Sequence, residues 1–147
     1  RRGNSALINA LGFSAFNRPF RPVRTEMDWL SREETEVDRY VADPLCGGPF
    51  TCGLWLDFLG ALFELGSDKA LTRVPADLAI LITGGSADPD GGEKGMTRLA
   101  MQYMHTMHQR VKLKVYPDGR HEMLNEINRE EVTADWLDWI DAHAKTR

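Results

Sequence analysis

The chain has 147 residues, 42% hydrophobic and 27% charged, which is the balance of one globular domain. Its formal net charge of −4 comes from interspersed signs without a block of lysine or arginine, so no surface is built to neutralise nucleic-acid phosphates. No apolar run approaches the roughly 20 residues of a membrane-spanning helix. The start of the chain also lacks the apolar stretch of a signal peptide. We expect no nucleic-acid partner and no transmembrane segment.

Two cysteines, Cys46 and Cys52, lie six positions apart among glycines and a proline. Neither a second pair nor a histidine at zinc-finger spacing accompanies them. We interpret them as free thiols of a cytoplasmic protein, since structural disulfides belong to oxidising compartments.

Residues 1–30 carry aromatic side chains separated by prolines and arginines, a pattern that predicts irregular structure. Two interpretations stay open for this segment: a loop lying on a larger body, or part of a lid with an apolar underside. Ser31 and Glu34 then have the spacing of a capping box. They predict a short helix that continues to about Val41 and ends before Pro44.

Apolar side chains recur at helical spacing between Leu54 and Phe63, and Gly66 follows as a C-cap would. This stripe predicts a helix that is packed into the core. Its Trp55 and Phe58 could instead line a ligand pocket, an alternative that the pattern leaves open.

The apolar run from Leu78 to Ile82 is too short for a helix, and it ends close to two glycines, as a buried strand does. Asp88 and Asp90 follow in the next turn. Open α/β sheets place ligands and chemistry beyond the carboxyl ends of their strands. The sequence therefore predicts a strand that delivers a carboxylate to a functional edge.

The next predicted helix runs from about Gly95 to Gln109, with apolar side chains at offsets of 0, 3, 4, 7, 8 and 11 from Met96. His105 and His108 lie near the edge of this stripe at i, i+3 spacing, which metal ligation would allow. Neither an HExxH pattern nor a third ligand goes with them. We interpret both as surface histidines and predict no metal site.

Residues 111–116 alternate apolar and lysine side chains, which predicts a strand with one exposed face near the sheet edge. A Pro-Asp-Gly turn ends this strand, and His121 follows almost at once. The last helix is predicted to begin at Asn128 as its N-cap, with a buried stripe of Val132, Trp136, Trp139 and Ile140.

The order strand, loop, helix, strand, loop, helix from residue 78 onward predicts parallel neighbouring strands, because such crossovers are almost always right-handed. Parallel strands end at one edge, so the loops carrying Asp88 and His121, 33 residues apart, should meet there. A carboxylate on one ring nitrogen fixes the tautomer of a histidine and leaves the other nitrogen to take a proton from a nucleophile. Asp88 and His121 are therefore our candidate acid–base pair.

Three stretches of this sequence carry a family resemblance: residues 81–89 (LITGGSADP) with Lys94-Gly95 after them, residues 116–126 (YPDGRHEMLNE), and residues 28–47 (DWLSREETEVDRYVADPLCG). Together they resemble the C-terminal part of α/β-hydrolases of the lysophospholipase and monoacylglycerol-lipase-like group, also called serine aminopeptidase S33 or hydrolase-4. The resemblance implies an α/β fold with parallel strands and flanking helices. Residues 1–50 would be a lid remnant and the return to the core, and residues 51–147 the C-terminal part of that core.

By the same resemblance, Asp88 matches the acid of a catalytic triad and His121 matches its histidine. Asp90 stands where the family often has valine, so it is the less favoured acid. The carboxylates around Pro89 also suggest a calcium loop, but the third carboxylate and the sixth-position glycine of an EF-hand are missing. We predict no bound calcium.

The third triad member would be a serine on a G-x-S-x-G elbow between a strand and a helix, and this sequence has no such elbow. Ser86 and Ser14 follow G-x but lack the closing glycine, and neither Cys46 nor Cys52 lies on an elbow. In this fold the serine precedes the acid, and the chain opens without a methionine. We expect the chain to be the C-terminal half of a hydrolase, with the N-terminal half as its partner.

The resemblance implies a serine ester hydrolase that acts through an acyl-enzyme on lipid-like carboxylic esters, such as a monoacylglycerol or a lysophospholipid. It requires no cofactor, and this chain alone would be inactive. Two rivals stay open. One is a non-catalytic α/β module whose exposed aromatic side chains bind a partner, which a long distance between Asp88 and His121 would favour. The other keeps the fold and catalyses peptide hydrolysis or acyl transfer.

Overall fold

The computed structural model describes residues 2–108 and 110–144, so the predicted helix end at Gln109 lies outside the described residues. The fold is α/β. Its α-helices are α1 (Ala6–Phe13), α2 (Glu34–Ala42), α3 (Cys52–Leu65), α4 (Asp68–Leu71), α5 (Gly92–His105) and α6 (Arg129–Ala144). Its strands are β1 (Ile80–Gly85) and β2 (Val111–Tyr116), and short 3-10 turns lie at Arg18–Phe20 and Met123–Asn125.

The prediction of irregular structure for residues 1–30 is wrong in part, because α1 forms there. The Ser5 hydroxyl caps this helix by accepting the Ile8 N–H at 3.4 Å. The side chain of Asn9 then ties α1 to a distant segment, since its NH₂ group donates to the Phe50 carbonyl at 3.1 Å and its oxygen accepts the Phe50 N–H at 2.8 Å. The helix thus depends on contacts that local spacing does not reveal.

The short helix after Ser31 is confirmed as α2, but the capping box is not. The Ser31 hydroxyl accepts the Glu33 N–H at 2.9 Å, one residue before the helix begins, and donates to the Asn125 carbonyl at 2.8 Å. Ser31 is buried, and this tertiary hydrogen bond takes the place of the predicted local cap.

The helix predicted between Leu54 and Phe63 is confirmed as α3, but its predicted packing into a core is wrong for the described residues. Trp55 is buried against the rings of Phe13 and Phe50. Phe58 is 43% exposed and Phe63 is 85% exposed. Most of the apolar stripe is therefore left uncovered by the described residues.

The two predicted strands are parallel neighbours, as the order of elements predicts. Ile80 pairs with Val111 and Gly85 pairs with Tyr116, so both strands end at the same level. The first strand begins two residues later than the apolar run and continues through both glycines. Residues 111–116 form the second strand as predicted. Among the described residues the sheet has two strands, and α5 packs on both of them.

Helix α5 begins three residues earlier than the sequence predicts. Gly91 and Gly92 have φ angles of +114° and +50°, which turn the chain into the helix directly after Asp90. Such positive φ angles are accessible to glycine at little cost. The loop between β1 and α5 is therefore shorter, and it holds Asp88 close to the strand end.

His108 is not the surface histidine that its position in the stripe predicts. It is buried, with Nε2 3.1 Å from the Val74 carbonyl oxygen and Nδ1 3.1 Å from the Thr106 hydroxyl. The helix ends at His105, which is exposed as predicted, and Met107 has a φ angle of +72°. This turn reverses the chain and points His108 inward, toward the segment that precedes β1.

The core joins the end of β2 to the last helix. Tyr116, Met123 and Val132 are almost fully buried in one cluster, and the half-buried Trp136 packs against it. Helix α6 begins at Arg129, next to the predicted cap Asn128. Its predicted buried stripe is wrong at Ile140, which is 49% exposed. This cluster lies under the loop that carries His121, so the packing of α6 supports the sheet edge where the candidate pair lies.

Candidate active site

Asp88 follows the end of β1 by three residues, in a turn held by backbone hydrogen bonds. The Asp88 N–H donates to the Gly85 carbonyl at 3.3 Å, and the Ala87 N–H donates to the Gly119 carbonyl at 2.9 Å. The Asp90 N–H donates to Asp88 Oδ1 at 2.9 Å. The turn therefore fixes both the position of the carboxylate and the direction in which it points.

His121 lies against that carboxylate. Its Nδ1 is 3.1 Å from each carboxylate oxygen of Asp88, and its Nε2 has no hydrogen-bond partner within residues 2–108 and 110–144. The side chain of His121 is 37% exposed and that of Asp88 is 18% exposed. One ring nitrogen is thus held by a carboxylate while the other is available, which is the arrangement that a general base needs.

The two charges reinforce each other. The hydrogen bond to Asp88 raises the pKa of His121 above its ordinary value of 6.5, although burial opposes this, and the charges of Asp88, Asp90 and Glu122 add to it. Burial would raise the pKa of Asp88, but the hydrogen bonds from His121 and the Asp90 N–H outweigh it and lower that pKa. The imidazolium form is therefore stabilised, as a proton acceptor in catalysis requires.

Trp29 covers one face of the imidazole. Its indole ring lies 4.9 Å from the His121 ring, centroid to centroid, at 50° between the planes. The indole also packs on Phe16, with ring centroids 4.8 Å apart, and the Trp29 backbone N–H donates to Asn17 Oδ1 at 2.9 Å. A segment from the far end of the chain thus forms a wall of the site.

A second group of polar side chains, Arg32, Arg120 and Glu126, forms hydrogen bonds around the His121 loop. Glu126 is fully buried and pairs with Arg32, whose Nε is 2.9 Å from Glu126 Oε2. The Arg120 guanidinium donates to the Asp28 and Ser31 carbonyls.

The sequence patterns assign no role to the residues around the pair, which are Trp29, Arg32, Arg120 and Glu126. All four lie within the stretches that carry the family resemblance, and Arg120 and Glu126 are also close to His121 in the chain. These signals do not reveal the burial of the four side chains or their distant partners, which become visible only in the folded chain.

An open cleft of about 410 Å³ lies beside Asp88 and His121. Met96, Leu99 and Met123 line it together with Asp88 and His121. Two larger clefts, of about 680 and 520 Å³, lie along α5 and between β2 and α6, and neither includes Asp88 or His121. The smaller cleft is the one in which an apolar group could lie next to the imidazole.

The other candidate nucleophiles do not join His121. The Ser86 hydroxyl accepts the Asp118 N–H at 2.8 Å, and Ser14 is exposed at the end of α1. Cys46 and Cys52 are free thiols, as predicted. Burial, together with nearby carboxylate charges, raises the pKa of Cys46, which is the opposite of what a nucleophilic thiolate needs.

The part of the chain that the structure describes has neither a metal-ligand cluster nor a membrane-spanning helix. In residues 2–108 and 110–144, no three His, Cys, Asp or Glu side chains come together as metal ligands would. None of the helices in these residues has the length and apolar composition to cross a bilayer.

Comparisons with known proteins bear on the fold and on the family of this chain. Among solved structures, a highly thermostable carboxyl esterase from Bacillus coagulans, in complex with glycerol, matches with a TM-score of 0.85 and 22% identity. The match covers 97% of this chain and 47% of that chain, so this chain spans less than half of the esterase's length. At this identity the likeness shows the fold, and it confirms the expected α/β-hydrolase architecture. No curated protein matches the chain.

The family comparison covers most of the chain. The profile of the family described as serine aminopeptidase, S33 (Hydrolase_4) matches residues 5–128, which include β1, β2, Asp88 and His121. This match confirms the family that the three sequence stretches resemble. The chain belongs to the serine aminopeptidase S33 family of α/β-hydrolases.

Proposed function

We propose that the whole protein hydrolyses carboxylic esters through an acyl-enzyme, with His121 as general base and then general acid, and with Asp88 as the residue that orients it. The observation that carries this proposal is the contact of His121 Nδ1 with both oxygens of Asp88 while Nε2 is available. In the first step Nε2 takes the proton of a nucleophilic hydroxyl as that oxygen attacks the ester carbonyl. In the next step the imidazolium returns the proton to the departing alcohol. This sequence of steps needs no cofactor.

The nucleophile of this reaction is a serine that lies outside these 147 residues. Two observations support this part of the proposal. The sequence has no G-x-S-x-G elbow, and no serine hydroxyl in the described residues forms a hydrogen bond with His121. These 147 residues would then supply two members of a triad and be inactive without the rest of the protein.

We propose lipid-like esters, such as monoacylglycerols or lysophospholipids, as the substrate class. Residues 1–50 would form part of a lid and its return to the core, and residues 51–147 the C-terminal part of the core. Leu7 and Leu11 on α1, with Phe63 on α3, are exposed and apolar. Met96, Leu99 and Met123 also give the cleft beside His121 an apolar part. Such surfaces favour an acyl chain over a charged group. The free thiols suit the reducing cytoplasm as the compartment.

The test uses the full-length protein and a series of p-nitrophenyl esters with acyl chains of increasing length, followed by a monoacylglycerol. We expect hydrolysis with kcat/KM that rises with chain length. His121→Ala should lower kcat by about 10²- to 10⁴-fold, as the loss of a general base does. Asp88→Asn should also lower kcat, whereas Asp90→Asn should change it little.

Three results would contradict this proposal. The first is an absence of ester hydrolysis by the full-length protein, and the second is a His121→Ala enzyme that keeps its rate. The third is a preference for an aminoacyl-p-nitroanilide, or for transfer to an added acyl acceptor, over hydrolysis of the esters. The last result would keep the acid–base pair but assign it to peptide hydrolysis or acyl transfer.

A further inference from the structure

Glu126 is the most completely buried charged side chain of the candidate site. Its exposed fraction is 0%, and N–H groups surround its carboxylate. Oε1 accepts the Arg120 N–H at 2.9 Å and the Arg32 N–H at 3.2 Å. Oε2 accepts Arg32 Nε–H at 2.9 Å and the Ile127 N–H at 3.1 Å. A buried carboxylate is destabilising unless its lone pairs are satisfied in this way, so its position is tightly specified.

The donors to Glu126 come from two segments that are far apart in the chain. Arg120 immediately precedes His121, whereas Arg32 is 94 residues before Glu126. The carboxylate therefore joins the loop of the general base to the segment of residues 28–32. A backbone amide on one side and a guanidinium on the other make the link charge-assisted, which favours short and well-aligned hydrogen bonds.

Further hydrogen bonds attach the same segment to both sides of His121. The Arg120 guanidinium donates to the Ser31 carbonyl at 3.0 Å, before the histidine, and the Glu122 N–H donates to the Leu30 carbonyl at 2.8 Å, after it. Trp29 belongs to this segment, and its indole is the ring that covers the imidazole. A shift of residues 28–32 would thus move the wall and the histidine together.

We propose that Glu126 is a positioning residue for His121: its buried carboxylate locks the His121 loop onto residues 28–32 and so sets the distance between His121 Nδ1 and Asp88. Glu126 touches neither the imidazole nor the cleft, so it acts through the Arg120 amide and through Arg32. The catalytic consequence of this role rests on the function proposed above for His121, but the geometric role does not.

The charges that face His121 make its pKa a readout of this geometry. Asp88 raises that pKa through a direct hydrogen bond, and Asp90 and Glu122 raise it through their charges. Because the hydrogen bond to Asp88 is the largest cause of the raised pKa and is lost when the two side chains separate, loosening the loop should lower the pKa of His121. Loss of overall stability alone would leave this pKa unchanged in the molecules that stay folded.

The experiment compares three variants of the full-length protein, each labelled with ¹⁵N-histidine for an NMR titration of His121. Glu126→Gln keeps the size of the side chain but sets an NH₂ group against N–H donors. Arg32→Lys leaves the carboxylate charged and removes its Nε–H bond, and it serves if Glu126→Gln does not fold. Asp135→Asn is the matched control, because Asp135 is a carboxylate that bonds Lys114 and the Tyr116 hydroxyl, away from residues 28–32.

We expect the pKa of His121 to fall in Glu126→Gln, and to fall less in Arg32→Lys, while Asp135→Asn leaves it at the wild-type value. In the ester assay kcat should fall by about 10- to 100-fold in Glu126→Gln with KM little changed, as for a misplaced catalytic group. A wild-type pKa in both Glu126→Gln and Arg32→Lys would overturn the proposal. If the wild-type protein hydrolyses no ester, the titration still tests the positioning role, so the two failures are distinguishable.

Discussion

The backbones of Gly85 and Gly119 lie so close together that neither glycine could carry a side chain without displacing its surroundings. A Cβ atom built on Gly85 would be 1.9 Å from the Gly119 carbonyl oxygen. One built on Gly119 would be 2.7 Å from Met123 Sδ and 3.2 Å from the Gly85 α-carbon. This contact brings the end of β1 onto the loop after β2, and the Ala87 N–H donates to the Gly119 carbonyl across it. The approach of Asp88 to His121 depends on this pair of glycines.

Gly85→Ala is therefore expected to be strongly destabilising. The new methyl group would overlap the Gly119 and Arg120 backbones, and overpacking against rigid backbone should cost about 3 kcal/mol or more of unfolding free energy. Denaturant titration measures this loss. The matched control is Gly60→Ala in α3, where nothing lies within 4 Å of the new Cβ atom and helix propensity should add about 0.5–1 kcal/mol of stability. Equal stability of the two variants would contradict this account of the contact.

Asp88→Asn should lower the pKa of His121 toward its ordinary value, because the hydrogen bond to the Asp88 carboxylate is the largest cause of its elevation. An NMR titration of the imidazole measures the change. Asp90→Asn is the control, since Asp90 acts on His121 only through its charge and should shift this pKa less. A larger effect of Asp90→Asn would assign the orienting role to the other carboxylate.

The stability that the pair contributes should depend on pH. Because the pKa of His121 is raised in the folded protein, its contribution is fully present below the unfolded value of about 6.5 and is lost as pH rises through the folded value. Asp88, whose pKa is lowered, stays ionised across this range. The wild-type protein should thus have a higher thermal unfolding midpoint than His121→Gln at about pH 6, and proton linkage predicts that this difference shrinks toward about pH 9. A difference that grows with pH, or one that persists in an Asp88→Asn background, would contradict it.

A substitution at Val132 tests the buried cluster of Tyr116, Met123 and Val132 beneath the His121 loop. Its side chain is 0% exposed and packs with Tyr116 and Met123, so Val132→Ala should cost about 2 kcal/mol of unfolding free energy through lost burial and the cavity left behind. Leu137→Ala on the exposed side of the same helix is the control and should change stability by no more than about 0.5 kcal/mol. Denaturant titrations of both variants give the comparison, and a larger cost for Leu137→Ala would place the core of α6 on its other face.

The sequence predicted the central part of the fold because its signals there are local and agree with each other. An apolar run predicts the first strand, an alternation of apolar and lysine side chains predicts the second, and the connection between them predicts their parallel pairing. That pairing alone brought Asp88 and His121 to one edge. The order of elements in the second half of the chain thus predicts that Asp88 and His121 lie close together, and they are in hydrogen-bond contact.

The errors lie where distant contacts decide the structure. Local spacing predicted a capping box at Ser31, but the hydroxyl bonds Asn125, and it predicted an exposed His108, but a turn at Met107 buries that ring. Ser5, the N-cap of α1, is a local signal in the sequence that favours a helix start. Glu126 shows most clearly why local patterns fail here. A glutamate is expected to be exposed, and its burial depends on Arg32, which is 94 residues away in the chain.

Covalent labelling tests the central claim most directly. An alkyl p-nitrophenyl phosphonate reacts when a serine oxygen attacks phosphorus and p-nitrophenolate leaves, and the general base is needed for that attack. With the full-length protein, we predict one labelled serine outside these 147 residues, identified by mass spectrometry, and labelling that is at least about 10²-fold slower in His121→Ala. A label on a serine within this chain, or an unchanged rate in His121→Ala, would contradict the assignment of Asp88 and His121 as the acid–base pair of a serine hydrolase.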